Sequence, residues 1–226
     1  MNELAAIWQG FDWTVLSRML LSVLPILLCL TIHELAHGAT AYALGDDTAK
    51  RMGRLTLNPI RHVDPIGFLM LLFFRFGWAK PVPVDMGRFK NPKAGMAVTA
   101  LAGPMSNFIL TTLILLFQVP LIRFRMNGGE VAGIVVQLIA DTAMLSVFLG
   151  MFNLLPVPPL DGSKILFSFL PNRHYYTLMR YERFGMFFLI VILLFNMTTG
   201  FLFDAVHLVF FWIEDWTEPI SRLLFS

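Results

Sequence analysis

The stretch WTVLSRMLLSVLPILLCLTIHELAHGATAYALG, residues 13–45, is apolar over a length that crosses a lipid bilayer, yet it holds three ionisable side chains within five residues. About 20 apolar residues in helical form cover the roughly 30 Å of bilayer hydrocarbon. Lipid offers no partner to backbone N–H and C=O groups, so such a segment satisfies them internally as a helix, expected here over about 15–45. The preceding residues 1–12, MNELAAIWQGFD, carry Glu3 and Asp12 and no Lys or Arg. A removable signal peptide, which needs a basic start, is therefore not expected.

The composition agrees. Of 226 residues, 57% are hydrophobic and 14% charged, whereas soluble domains carry about 25% charged residues. An ordinary soluble enzyme and a disordered chain are disfavoured. Cys29 stands alone, so neither an intrachain disulfide nor a cysteine-rich zinc site can form. A net charge of +2 gives no reason to expect a nucleic-acid partner. The expected fold class is an all-α polytopic membrane protein, a single unit over 1–226 with about four transmembrane helices. Further spans are expected at about 95–119, 131–153 and 184–212, the last interrupted at Asn196–Gly200. The 46–94 loop is expected to lie against the membrane. Within it PIGFLMLLFF, residues 65–74, is too short to span and suits a strand hairpin or a re-entrant piece.

Charge placement gives an orientation. Lys50, Arg51, Arg54, Arg61, Arg75, Lys80, Arg88, Lys90 and Lys93 crowd the first loop, and Lys164, Arg173, Arg180 and Arg183 follow the third helix. The loop near 120–130 has only Arg123 and Arg125. By the positive-inside rule the two basic segments face the cytoplasm, and the first helix runs from outside to inside. The basic loop also suits contact with anionic lipid headgroups.

His33-Glu34-Leu35-Ala36-His37 is an HExxH sequence. Residues i and i+4 share a helix face, so both imidazoles can bind one metal ion, and Glu34 lies within reach of a water there as general base. With this composition roughly 0.003 such matches arise by chance. Ionisable groups inside a membrane helix are costly and face a bundle interior or a water-filled cavity. The competing reading ends the span before Thr31 and makes HELAH a solvated extension. A catalytic zinc ion takes three protein groups plus water. The third helix returns to the cytoplasmic side near Asn153 and leads into NLLPVPPLDG, residues 153–162, whose only carboxylate is Asp161. Asp161 is thus the best third ligand; equally, it can cap a helix that begins at Gly162.

HELAHG at 33–38, AGPMSN at 102–107 and NLLPVPPLDG at 153–162, in that order on successive helices, resemble the site-2 protease family of intramembrane zinc metalloproteases. GRLTLNPIRHVDPIG at 53–67 and KPVPV at 80–84 resemble its compact bacterial and archaeal branch. The resemblance covers about residues 15–170. It implies a three-helix core, a β hairpin near 53–85, and one Zn2+ held by His33, His37 and Asp161, with Glu34 activating water. It also implies a multi-pass protein of a prokaryotic cell membrane, with its site towards the cytoplasm. Its substrate would be a single-pass membrane protein or a signal-peptide-like segment. Relatives with a PDZ domain or a CBS pair use them for substrate choice or nucleotide sensing. No stretch is large enough for either, so selection would fall to the membrane loop, helix packing or a membrane partner.

Asn153 and Asn107 are candidate hydrogen-bond donors to a developing oxyanion, or else helix-end and cross-helix bonds. His62, in HVDP, is a candidate substrate contact, with a structural role the alternative. Asp64 before Pro65 suits a turn. Asp141, midway along the third helix, has no matching motif. Two other functions compete with proteolysis: a zinc-binding transporter and a non-catalytic membrane scaffold. A base held between two ligands is superfluous for transit, and no inverted repeat of the transporter kind is visible.

Overall fold

The computed structural model describes residues 13–74, 77–194 and 199–225. Three of its helices are long and apolar enough to span a membrane. α1 is Trp13–Ala43, α2 the short turn Thr48–Arg51, α3 Pro65–Phe74, α4 Pro92–Leu116, α5 Gln118–Asn127 and α6 Gly129–Asn153. α7 (Asp161–Ser168), α8 (Asn172–Tyr181), α9 (Gly185–Leu194) and α10 (Thr199–Phe225) follow. The spanning stretches are Leu20–Ala43, all of α4 and all of α6. They pack together, with α4 in contact with both α1 and α6. The end of α1, the start of α4 and the end of α6 therefore lie at one face of the bundle, and the 44–91 and 154–184 segments gather there.

Two expectations change. Among the described residues the 53–85 region holds no strand, only a single antiparallel bridge between Val63 and Ala79, beside a bond from the Lys80 N–H to the His62 carbonyl. Of the two readings of 65–74 the strand hairpin is the one that fails, since these residues form the helix α3. Asp64 accepts from the Gly67 N–H at 2.8 Å, and Pro65 opens the first turn, where its missing N–H costs nothing. An apolar decapeptide beside lipid satisfies its backbone within one helix, whereas a two-stranded ribbon leaves both edges unpaired.

The second change concerns the fourth span. The described residues contain α9 and α10 but no fourth helix that meets the length and hydropathy of a span. The expected interruption falls largely on 195–198, outside the described residues. α10 runs 13 residues beyond 212, and Glu214, Asp215, Glu218 and Arg222 charge that half. Leu202, Val206 and Ile213 of α10 bury against Leu115 of α4 and Val147 of α6, at the 3–4-residue spacing of one helix face. The stretch read as a loop near 120–130 is the helix α5, which accepts Pro120 in its first turn.

The chain leaving α1 is tied back by Asp46. Its Oδ1 accepts from the Thr48 N–H at 3.0 Å and from the Thr48 hydroxyl. Its Oδ2 accepts from the Asp85 N–H at 2.7 Å. Burial opposes ionisation of this carboxyl, but those three donors and the Arg88 guanidinium outweigh it and hold it below the usual carboxylate range. Asp46→Asn turns an amide toward donors and is expected to lower the thermal unfolding midpoint in detergent by the equivalent of about 1–3 kcal/mol. The carboxylate's contribution is complete above the unfolded Asp value of about 3.9 and is lost as pH falls through the lower folded value. The gap between wild type and Asp46→Asn should therefore be constant near neutrality and close only in acid. A gap that widens in acid would contradict this.

Candidate active site

α1 carries His33 and His37 one turn apart, both buried, with ring centroids 4.5 Å apart and ring planes perpendicular. Asp161 reaches them from the other end of the chain. Pro156, Pro158 and Pro159 hold 154–160 out of regular helix, and the chain turns back beneath the end of α6. Gly162 makes the return possible: a Cβ there would lie 2.1 Å from the Leu154 carbonyl oxygen. Asp161 is the first residue of α7, and its Oδ2 lies 3.1 Å from His33 Nε2 and 3.0 Å from His37 Nε2. The carboxylate thus faces the imidazoles, which settles the capping alternative against it.

The two Nε2 atoms are themselves 3.0 Å apart. Three donor atoms so converged can hold one metal ion between them, and the set suits zinc. Ligands on a tetrahedral ion with bonds of about 2.0–2.1 Å stand about 3.3 Å apart. His37 donates its Nδ1–H to the Thr99 carbonyl at 2.7 Å, which leaves a lone pair on Nε2. Gly103 of α4 completes the cradle: a Cβ would lie 2.5 Å from His37 Nε2 and 2.6 Å from His33 Cε1.

Asp161 stays anionic. Burial resists its ionisation, but His37, His33 and Lys164 overcome that and hold the carboxyl well below its usual range. Lys164, one turn along α7, lies 3.6 Å from Asp161 Oδ1 and 3.5 Å from Glu182 Oε1. Burial works against its charge as well, and the two carboxylates outweigh it and raise its pKa.

A cavity of about 610 Å³ opens onto these groups. Glu34, Asn153, Lys164 and Glu182 line it together with both histidines and Asp161. One wall is the extended stretch Pro81, Val82 and Val84. Glu34 Oε2 accepts from the Val82 N–H at 2.8 Å. Arg54, itself buried, holds the same stretch by donating to the Lys80 carbonyl at 2.5 Å and the Pro81 carbonyl at 3.3 Å.

A profile described as Peptidase family M50 matches residues 121–197. YwhC of Bacillus subtilis (strain 168) is 40% identical over 192 residues, covering 84% of this chain and 86% of YwhC. The chain belongs to peptidase family M50. Rip2 of Mycobacterium tuberculosis (strain ATCC 25618 / H37Rv) is 29% identical over 201 residues, 87% of this chain and 74% of Rip2. Both relatives carry the name "Putative zinc metalloprotease". No solved structure matches. Membership makes this M50 chain an intramembrane zinc-dependent protease and sets aside the transporter and scaffold readings.

The remaining candidates separate. Asn153 lines the cavity and donates one amide hydrogen to the Leu149 carbonyl at 2.9 Å. Asn107 is wholly buried behind the histidines and does not line the cavity. His62 is buried too, held by Nε2–H donation to the Thr56 carbonyl at 2.8 Å. It lines a neighbouring, largely apolar cavity of about 390 Å³ that contains none of the metal-site residues. Asp141 is exposed and accepts from Gln137 at 2.8 Å. Thr99, Gly103, Val82, Arg54 and Lys164 enter the M50 site without having been foreseen. Signals existed for some of them: the Asp161–Lys164 spacing of three on a helix, and the GRLTLNPIRHVDPIG, KPVPV and AGPMSN stretches that hold Arg54, Val82 and Gly103.

Proposed function

We propose that this chain hydrolyses peptide bonds within or near transmembrane segments of other membrane proteins, at the cytoplasmic half of the cell membrane, as one unit with a single zinc site. His33, His37 and Asp161 are the ligands in this reading, Glu34 the general base and Asn153 an oxyanion donor. The observation that carries it is the convergence of three donor atoms within 3.0–3.1 Å of one another, with Glu34 in the same cavity.

Zinc bound there supplies Lewis acidity, which acidifies water and polarises the scissile carbonyl. Glu34 takes the proton of the attacking water and delivers it to the leaving amine nitrogen. The Val82 N–H orients the Glu34 carboxylate for this transfer, since it engages one oxygen and leaves the other without that donor. Asn153 has a second amide hydrogen beyond the one held by Leu149, and that hydrogen suits the charge developing on the carbonyl oxygen. A substrate helix must unwind first, because its own hydrogen bonds shield each carbonyl. The wall formed by Pro81, Val82 and Val84 offers a surface along which the unwound stretch can lie.

Orientation follows from the basic segments. The end of α1 and the start of α4 flank the 44–91 stretch with its many Lys and Arg, so the positive-inside rule puts the cavity mouth in the cytoplasm. A single-pass protein or a signal-peptide-like segment fits a site reached from within the bilayer. Substrate selection would rest on the membrane loop, helix packing or a membrane partner.

The test is cleavage of a model transmembrane peptide by the purified protein in detergent. A zinc chelator should stop cleavage, and added zinc should restore it. Cleavage that persists after the metal is stripped would overturn the metal mechanism.

A further inference from the structure

α4 meets the histidine pair at three successive turns. The Thr99 carbonyl accepts from His37, Gly103 leaves room for both rings, and Asn107 stands behind His33. The Thr99 contact fixes the tautomer of His37. Among the described residues no backbone group does the same for His33. Its Nδ1 instead lies 3.1 Å from the Asn107 amide nitrogen.

That pairing conflicts with a metal on His33. A nitrogen of Asn107 can only donate, which makes Nδ1 an acceptor and puts the ring proton on Nε2, where the ligand lone pair belongs. The same amide shows the resolution. Asn107 is wholly buried and its Oδ1 has no hydrogen-bond partner among the described residues. Oxygen and nitrogen of an Asn amide exchange places by a half-turn without change of shape. In the turned amide, Oδ1 faces Nδ1–H and Nε2 carries the lone pair. The Asn107 backbone is also pinned, since Ser146 Oγ of α6 donates to its carbonyl at 2.9 Å. The amide therefore stands at a fixed distance from the ring.

We propose that Asn107 is a positioning residue: it accepts the Nδ1–H of His33 and holds that imidazole in the tautomer and orientation that present Nε2 to zinc. This replaces the oxyanion role first considered for it, and it rests on the zinc reading of the site above. The partner of a metal-bound histidine typically changes metal affinity by 10–100-fold.

The experiment measures zinc affinity of the full-length protein in detergent by chelator competition, with the absorption spectrum of the cobalt-substituted protein as a second readout. Asn107→Leu, similar in size and unable to accept, should bind zinc about 10–100-fold more weakly and give an altered cobalt spectrum. Asn107→Ser, too short to reach the ring, should lose affinity likewise and covers the case of a poorly folding leucine variant. Asn107→Asp keeps an acceptor and should stay within a few-fold of wild type. Unfolding midpoints of the metal-free proteins show whether each variant is folded. Wild-type affinity in folded Asn107→Leu or Asn107→Ser, or equal losses in folded Asn107→Asp and Asn107→Leu, would overturn the proposal while the zinc reading stands. A wild-type protein that binds no zinc would overturn both.

Discussion

Glu34→Gln is expected to lower the rate of transmembrane-peptide cleavage by about 10²–10⁴-fold, the range that a general acid–base group contributes, with zinc content unchanged. The side chain is not among the three converged donor atoms, so removing its charge leaves the ligand set complete. It lines the same cavity, and its Oε2 already has a defined donor in the Val82 N–H. Glutamine keeps the length of the side chain and can still offer its carbonyl oxygen to Val82. What it cannot do is accept a proton from water at neutral pH. The effect should therefore fall on kcat, with KM for the peptide little changed. Metal analysis beside steady-state kinetics separates the outcomes. Full activity would remove Glu34 from the mechanism, and loss of zinc would make it a structural support of the ligands.

The parts of this fold that depend on length and composition were open to a reader of the sequence. Leu20–Ala43 of α1, α4 and α6 are runs of 24 or 25 residues apolar enough to cross a bilayer, and their ends fall within a few residues of the expected ones. α3 was not open in the same way. PIGFLMLLFF is apolar at every position, so neither a period of 2 nor one of 3.6 shows, and such short runs do not reveal helix or strand. Its helical state depends on Asp64 and Pro65 at its start. α10 passed its expected end because the charges of Glu214, Asp215 and Glu218 read as a tail, while Ile213 and Thr217 on the same helix are buried.

The site divides along a similar line. HExxH places two ligands by local helix geometry alone, and Asp161 follows from where the third helix returns. Charges with a tertiary partner have a second role that composition does not reveal. Arg54 and Lys164 counted among residues that set membrane orientation, yet Arg54 pins the 80–81 carbonyls and Lys164 sits between Asp161 and Glu182. A basic residue in a basic loop carries no mark of burial until its partner, 26 or 18 residues away, is known. His62 and Asn107 illustrate the reverse case. Each was weighed as a group facing substrate; Asn107 is wholly buried and does not line the cavity at the histidines, and His62 lines the neighbouring apolar one.

Asp161→Asn is expected to abolish detectable cleavage and to weaken zinc binding by more than the roughly 100-fold upper value for a residue that only supports a ligand. Three separate losses fall on one substitution. The ion loses its only anionic protein ligand, since the other two are imidazoles. The amide can present a nitrogen where Oδ2 now meets both Nε2 atoms, and a nitrogen with two hydrogens cannot ligate. Lys164 loses one of its two carboxylate partners and is left with Glu182. A half-buried cation with one of its two carboxylate partners removed is destabilising in itself, so metal-free protein should also unfold at a lower temperature. That last effect identifies its own control. Adding Lys164→Met to Asp161→Asn removes the stranded charge and should restore much of the metal-free stability while leaving zinc affinity low. The reasoning fails at the ligand step if Asp161→Asn keeps wild-type zinc affinity. It fails at the electrostatic step if the double variant is no more stable than the single one.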